Sequence, residues 1–88
     1  MACRRFRVSG LVQGVGFRYA ARTEAQRLDL VGWVRNLPDG DVEAIACGDA
    51  EKLSAFETWL RRGPRAARVA GVVATDVSPE TFDSFEVR

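Results

Sequence analysis

The sequence predicts an α+β sandwich, an antiparallel sheet carrying two helices on one face. Short stretches of alternating apolar and polar residues mark strands, and two longer stretches repeat their apolar residues at helical spacing. Their order is strand, helix, strand, strand, helix, strand, which interleaves both element types within one layered unit.

The first strand is expected from about Cys3 to Val12, where Phe6 and Val8 alternate with Arg5, Arg7 and Ser9. A glycine-punctuated loop, Gln13-Gly14-Val15-Gly16, follows it. The first helix runs from about Phe17 to Asp29, with Phe17, Ala21, Ala25 and Leu28 on one stripe. A second strand covers Val31 to Asn36 and ends at Leu37-Pro38-Asp39-Gly40, a turn in which Pro presets φ and Gly supplies the left-handed residue. The returning third strand, Asp41 to Cys47, puts Val42, Ala44 and Ala46 on one face. Asp49 is suited to N-cap a second helix whose stripe is Leu53, Phe56 and Leu60, widened by Trp59 and stopped at Gly63-Pro64. A fourth strand, Val69 to Val77, a turn at Ser78-Pro79-Glu80, and a short terminal strand, Phe85 to Arg88, complete residues 1–88 as a single domain.

This order is the ferredoxin-like split βαβ, written βαββαβ. Right-handed crossovers make the first two strands parallel, with the third inserted between them. The loop after the first strand and Asn36 at the end of the second then share one sheet edge. Pairing Arg7 with Glu43 on the first and third strands sets Cys3 opposite Cys47 on the helix-free face. There the two could close a disulfide, or remain reduced as a cytosol favours.

No apolar run is long enough to span a membrane, and the basic start is not followed by a signal-peptide core, so a cytoplasmic protein is expected. Net charge is +1, too small for a broad nucleic-acid footprint, although twelve of the thirteen basic residues are Arg and only Lys52 is Lys. Histidine is absent. That removes imidazole acid–base chemistry, phosphohistidine and most zinc sites. Cys3 and Cys47 form no CxxC pair, and neither precedes Arg at the spacing of a thiol phosphatase loop. Asp39-Gly40-Asp41 superficially matches the start of an aspartyl-phosphate site, but the hairpin turn accounts for it.

The loop from Val12 to Arg18 carries the chemistry. A strand leads through two glycines into a helix N-terminus, where successive peptide N–H groups form an anion cradle reinforced by the helix dipole. Arg18 in the first turn could close that cradle bidentately on phosphate. Spacing alone is equally compatible with a plain tight turn. Asn36, taken alone, is a turn residue; beside the loop, its amide could hold a water but could not act as a strong base.

These residues match a family. Val8-Ser9-Gly10-Leu11-Val12-Gln13-Gly14-Val15-Gly16-Phe17-Arg18 resembles the first signature of the acylphosphatases, and Gly32-Trp33-Val34-Arg35-Asn36 with Gly40, Val42 and Gly48 resembles the second. Gly63 to Val69 and the closing Phe85-Glu86-Val87-Arg88 also look like family sequence, so the resemblance covers nearly the whole chain. It implies the ferredoxin-like fold and hydrolysis of a small acyl phosphate to a carboxylate and inorganic phosphate, with no metal or cofactor. Inorganic phosphate is then both product and competitive inhibitor, and a monomer is expected. Carried over, Arg18 is the catalytic phosphate-binding arginine, Asn36 orients the attacking water, and the amides of Gly14, Val15, Gly16, Phe17 and Arg18 bind phosphate. Two other readings use the same strand order. One is an RNA-recognition domain, disfavoured because the third strand has no aromatic to stack on bases. The other is a phosphate-binding or carbamoyl-phosphate-handling module of a larger protein, disfavoured by a chain that begins and ends with its domain.

Overall fold

Period-two alternation sorts every strand into a helix-covered face and an open face. In the computed structural model, which describes all 88 residues, the elements are β1 (Ala2–Leu11), α1 (Phe17–Arg27), β2 (Val31–Asn36), β3 (Val42–Gly48), α2 (Ala50–Arg62), β4 (Arg68–Val77) and β5 (Phe85–Val87). Phe6 and Val8 of β1, Val34 of β2, and Val42, Ala44 and Ala46 of β3 point to one side, where they are buried beneath Phe17, Ala21 and Ala25 of α1 and Leu53, Phe56 and Leu60 of α2. Small residues on β3 let both helices approach the sheet. Aromatic rings then fill the space: Phe56 meets Phe6 and Phe85 edge-on, with centroids 5.6 and 5.9 Å away, and stacks on Trp59. Each ring so buried contributes on the order of 1.5–3 kcal/mol.

The antiparallel sheet expected is formed by β4, β1, β3 and β2, and a parallel edge strand, β5, makes the whole sheet mixed. Its order is β4-β1-β3-β2-β5, and β5 joins β2 in parallel with Gly32 opposite Phe85. The cause is the path of the chain. β4 and β5 occupy opposite edges, so residues 78–84 must cross the end of the sheet rather than turn back, and β5 then runs alongside β2. The tight turn expected at Ser78-Pro79-Glu80 is in fact the start of this strap.

The strap covers the open face at one end. Phe82 packs with Val31, Trp33 and Val77 around Cys3, Ile45 and Cys47, and the Glu80 amide donates to Cys3 Sγ at 3.4 Å. β1 and β3 pair with Arg7 opposite Glu43 and Cys3 opposite Cys47, whose sulfur atoms are bonded at 1.99 Å. At the other end, β1 is bent by a bulge between Ser9 and Gly10 against β4. Gly10 has φ 119°, and a side chain there would collide with the Arg68 carbonyl. The bulge turns the strand toward the loop that follows. α2 is bounded as the sequence suggests, with Asp49 at its N-cap and Gly63 at its C-cap, although the Asp49 carboxylate makes no capping hydrogen bond; α1 stops at Arg27, short of the Asp29 expected.

The Cys3–Cys47 link closes a loop of sequence separation 44, so its loss should destabilise the fold by about 2–4 kcal/mol. Thiol titration of the unfolded protein should find no free thiol before reductant and both cysteines after it. Urea unfolding of the reduced protein should show a lower midpoint; an unchanged midpoint would mean that the strand pairing alone holds this end of the sheet.

Candidate functional site

Three apolar anchors pin the loop between β1 and α1. Val12 and Phe17 are buried, and Val15 packs on the core between them. Phe17 sits against Trp59 and next to Gly63, where a side chain would press on its ring, so the end of α2 leaves room for the loop's anchor. Gly14 and Gly16 alternate with these anchors at φ 74° and 78°, a left-handed backbone that any other residue adopts only at a cost. Nothing lies within 4 Å of where their side chains would begin. The glycines therefore face open space and are required by backbone shape, not by crowding.

Gly16 is also the N-cap of α1, and it supplies no side-chain acceptor. A Ser or Asp there would consume one of the first amides of the helix. Here the first helical hydrogen bond is donated by Ala20 to the Gly16 carbonyl, and the amides of Gly14, Val15, Gly16, Phe17, Arg18 and Tyr19 donate to no acceptor of the protein. These unpaired N–H groups stand at the positive end of the helix dipole, with no acidic residue in the first turn. Tyr19 extends by one residue the run of amides expected from the sequence.

Arg18 leaves the helix in the same turn. Arg4, Arg7, Arg27, Arg35, Arg61 and Arg88 each pair with a carboxylate. Arg18 pairs with no side-chain carboxylate and donates from Nη1 to the main-chain oxygen of Arg88, the final residue, at 2.8 Å. The Arg88 amide in turn donates to Val34 of β2 at 2.8 Å. That chain of contacts carries Arg18 to within two residues of Asn36. Asn36 is the exposed last residue of β2, and alternation from Gly32 and buried Val34 turns it toward the helix face, the side on which the loop lies. Loop, Arg18 and Asn36 thus share one edge of the sheet. The contact to Arg88 was not legible in the sequence, because it depends on β5 lying parallel beside β2.

The turn after Asn36 is gripped from two sides. On the open face Arg7 holds both carboxylates of the turn, donating from Nε to Asp41 at 2.8 Å and from Nη2 to Asp39. From the loop side, Gln13 Nε2 donates to the carbonyls of Leu37, at 2.8 Å, and Asp41, at 2.9 Å. Gln13 stood in the sequence as one residue of a glycine loop; nothing in its neighbours pointed to carbonyls 24 and 28 residues away.

The acylphosphatase family model matches residues 4–87. The chain belongs to the acylphosphatase family. An acylphosphatase of Pseudomonas paraeruginosa is 51% identical over 98% of this chain and 94% of its own length. Among solved structures, an acylphosphatase from Coxiella burnetii superposes with a TM-score of 0.96 at 42% identity, covering 99% of this chain and 92% of the other. One from Bacillus subtilis reaches 0.97 at 37% identity, covering 100% and 99%. The protein is an enzyme of that family.

Other surfaces of this acylphosphatase are organised differently. A hollow of about 310 Å³ between the helices, lined by Glu24, Trp59 and Arg62, and one of about 250 Å³ on the open sheet face, lined by Arg5, Arg7 and Glu43, both lie away from the loop. The loop is an open rim of amides suited to a small tetrahedral anion, not a deep pocket. Arg61 is paired with Glu57, and Arg61 and Arg62 complement the C-terminal end of α2. On the open face β1 and β3 present no aromatic ring; the one that a strand contributes there, Trp33 of β2, has the Arg35 and Arg88 guanidiniums over its ring at 5.0 and 5.1 Å.

The turn grip should be sensitive to acid. The Asp41 amide, with Arg7, holds the Asp39 carboxyl below its usual value of 3.8. A carboxyl depressed in the folded state contributes stability that is present above the unfolded pKa and lost as pH falls through the folded one. Urea midpoints of the wild type and Asp39→Asn should therefore differ at pH 6 and converge as pH is lowered below 3.8. A difference that persists in acid would show that the Asp39 charge is not what holds the turn.

Proposed function

We propose that this acylphosphatase hydrolyses acyl phosphates to a carboxylate and inorganic phosphate, by in-line attack of a water held by Asn36 on a phosphoryl group gripped by Arg18 and the Val12–Arg18 loop. The observation that carries this reading is the uninterrupted run of unpartnered amides from Gly14 to Tyr19 at a helix N-terminus. Such a run matches the oxygens of a phosphoryl group, and the Arg18 guanidinium adds a planar, permanent charge. Water forms the new P–O bond while the bond from phosphorus to the acyl oxygen breaks, and the carboxylate leaves with that electron pair.

A carboxylate is a weak base, so it departs without a strong general acid. What remains for the protein is to align the water and to stabilise charge on the equatorial oxygens. The Asn36 amide suits the first task because it both donates and accepts, which fixes a water's orientation. It cannot take the water's proton. With no histidine in the chain, a non-bridging phosphate oxygen of the substrate accepts it. Inorganic phosphate, carrying the same oxygens, competes for the cradle.

Benzoyl phosphate hydrolysis with EDTA present tests the activity; a protein that binds phosphate under those conditions but does not turn the acyl phosphate over would be a binding module instead. Arg18→Ala should lower kcat/KM by at least about 10²–10³-fold. Asn36→Ala should lower kcat by about 10²-fold while the inhibition constant for phosphate stays within about threefold. Equal losses in kcat and phosphate affinity would contradict the water-positioning role.

A further inference from the structure

We infer that Gln13 is a positioning residue for catalysis: its side chain locks the phosphate loop to the Asn36 hairpin, so that the two halves of the site are held in register. This rests on the roles proposed above for the loop and Asn36.

The geometry is unusually complete for one side chain. Both hydrogens of the Gln13 amide are used, on carbonyls at the two ends of the same turn, Leu37 and Asp41. Those carbonyls already serve the turn's own hydrogen bonds, Gly40 to Leu37 at 3.2 Å and Leu37 to Asp41 at 2.8 Å. Gln13 therefore adds second acceptor contacts across the neck of the hairpin rather than forming the hairpin. Leu37 is the residue directly after Asn36, and Gly14, the first amide of the cradle, directly follows Gln13. One side chain thus spans from the peptide beside the cradle to the peptide beside Asn36.

Stability of the turn is not a sufficient account of this arrangement. Arg7 grips the same turn through Asp39 and Asp41 from the open face, but Arg7 belongs to β1 and not to the loop that carries the amide run. Among the side-chain hydrogen bonds to this turn, those from Gln13 are the ones that originate in the loop. Arg18 reaches β2 only by way of Arg88, and the remaining routes between loop and hairpin pass through the sheet, where β1 and β2 are separated by β3. A small relative shift of the two would leave the amides and Arg18 able to bind phosphate while moving the water off the line of attack. Misplacement of about 1 Å is enough to cost on the order of a hundredfold in rate.

The test is a double-mutant cycle between Gln13→Met, which keeps length and removes both donors, and Asn36→Ala, with kcat and the inhibition constant for inorganic phosphate as readouts. Gln13→Met should lower kcat by about 10- to 100-fold with the phosphate constant within about threefold. In the Asn36→Ala background it should change kcat by less than about twofold, because the water it positions is no longer held. Wild-type kcat in Gln13→Met, a parallel loss of phosphate affinity, or an undiminished loss in the Asn36→Ala background would each overturn the inference while leaving the roles of Arg18 and Asn36 standing. Wild-type kcat in Asn36→Ala alone would bring down the Asn36 reading and this inference with it. Circular dichroism checks folding. If Gln13→Met fails to fold, Gln13→Glu, which keeps shape and loses the donors, is read in its place; failure of both to fold would make the contact structural and overturn the inference.

Discussion

The constraint on which the rest of the structure depends is a row of peptide N–H groups that must stay without partners. A folded chain normally spends its amides on its own carbonyls, capping residues or turns. Between Gly14 and Tyr19 it does not, and the surrounding features keep them free. Gly16 caps α1 with no side-chain acceptor, the first turn carries no carboxylate, and the two left-handed glycines swing successive peptides outward. Gly14, Gly16 and Tyr19 are exposed, so water can satisfy most of the row at little cost. Val12, Val15 and Phe17 anchor the loop on the core, so that on the proposed reading anion binding spends little on ordering it.

Holding the cradle would not be enough without the opposite wall. Parallel β1 and β2, separated by β3, bring the loop and Asn36 to one edge but leave the width of one strand between them. Side chains close that gap. Arg18 reaches Arg88, which is hydrogen-bonded to Val34, and Gln13 reaches the hairpin carbonyls. β5 is therefore more than an edge strand: its parallel addition is what supplies the Arg88 oxygen beside the end of β2. The strap that delivers it also covers the Cys3–Cys47 pair, so the two ends of the sheet are linked through one stretch of chain.

Most of this was legible where local pattern and topology agree. The stripe Phe17, Ala21, Ala25 and Leu28, the turn before Gly40 and the glycine loop each announce their structure through short-range chemistry, and handedness then places Asn36 near the loop. The register of β1 and β3 was set by pairing Arg7 with Glu43, which alternation allows but does not by itself choose. The contacts that were not legible are those between parts far apart in the chain: Gln13 with Leu37 and Asp41, Arg18 with Arg88, and the strap with Cys3. A glutamine in a loop has no pattern that predicts its acceptor. Likewise Pro79 signals a turn, yet whether the chain turns back or crosses to the far edge is decided by where Phe85 finds its place beneath Phe56.

The economy of the site follows from the chemistry asked of it. An acyl phosphate carries its own good leaving group, and its phosphoryl oxygens can take the proton released by water. Neither a tuned acid nor a tuned base is then required, and no ionisable group needs to be buried at the site. That absence matters for a chain of 88 residues, whose core is entirely apolar, with no buried polar or charged residue. Burying a charged catalytic group would cost several kcal/mol, comparable to the whole stability of a domain this size. The proposed site, a cradle of backbone amides with one surface arginine and one surface asparagine, needs no such burial. In that reading its precision rests on hydrogen bonds that tie one loop to one hairpin, which a small sheet with two helices can provide.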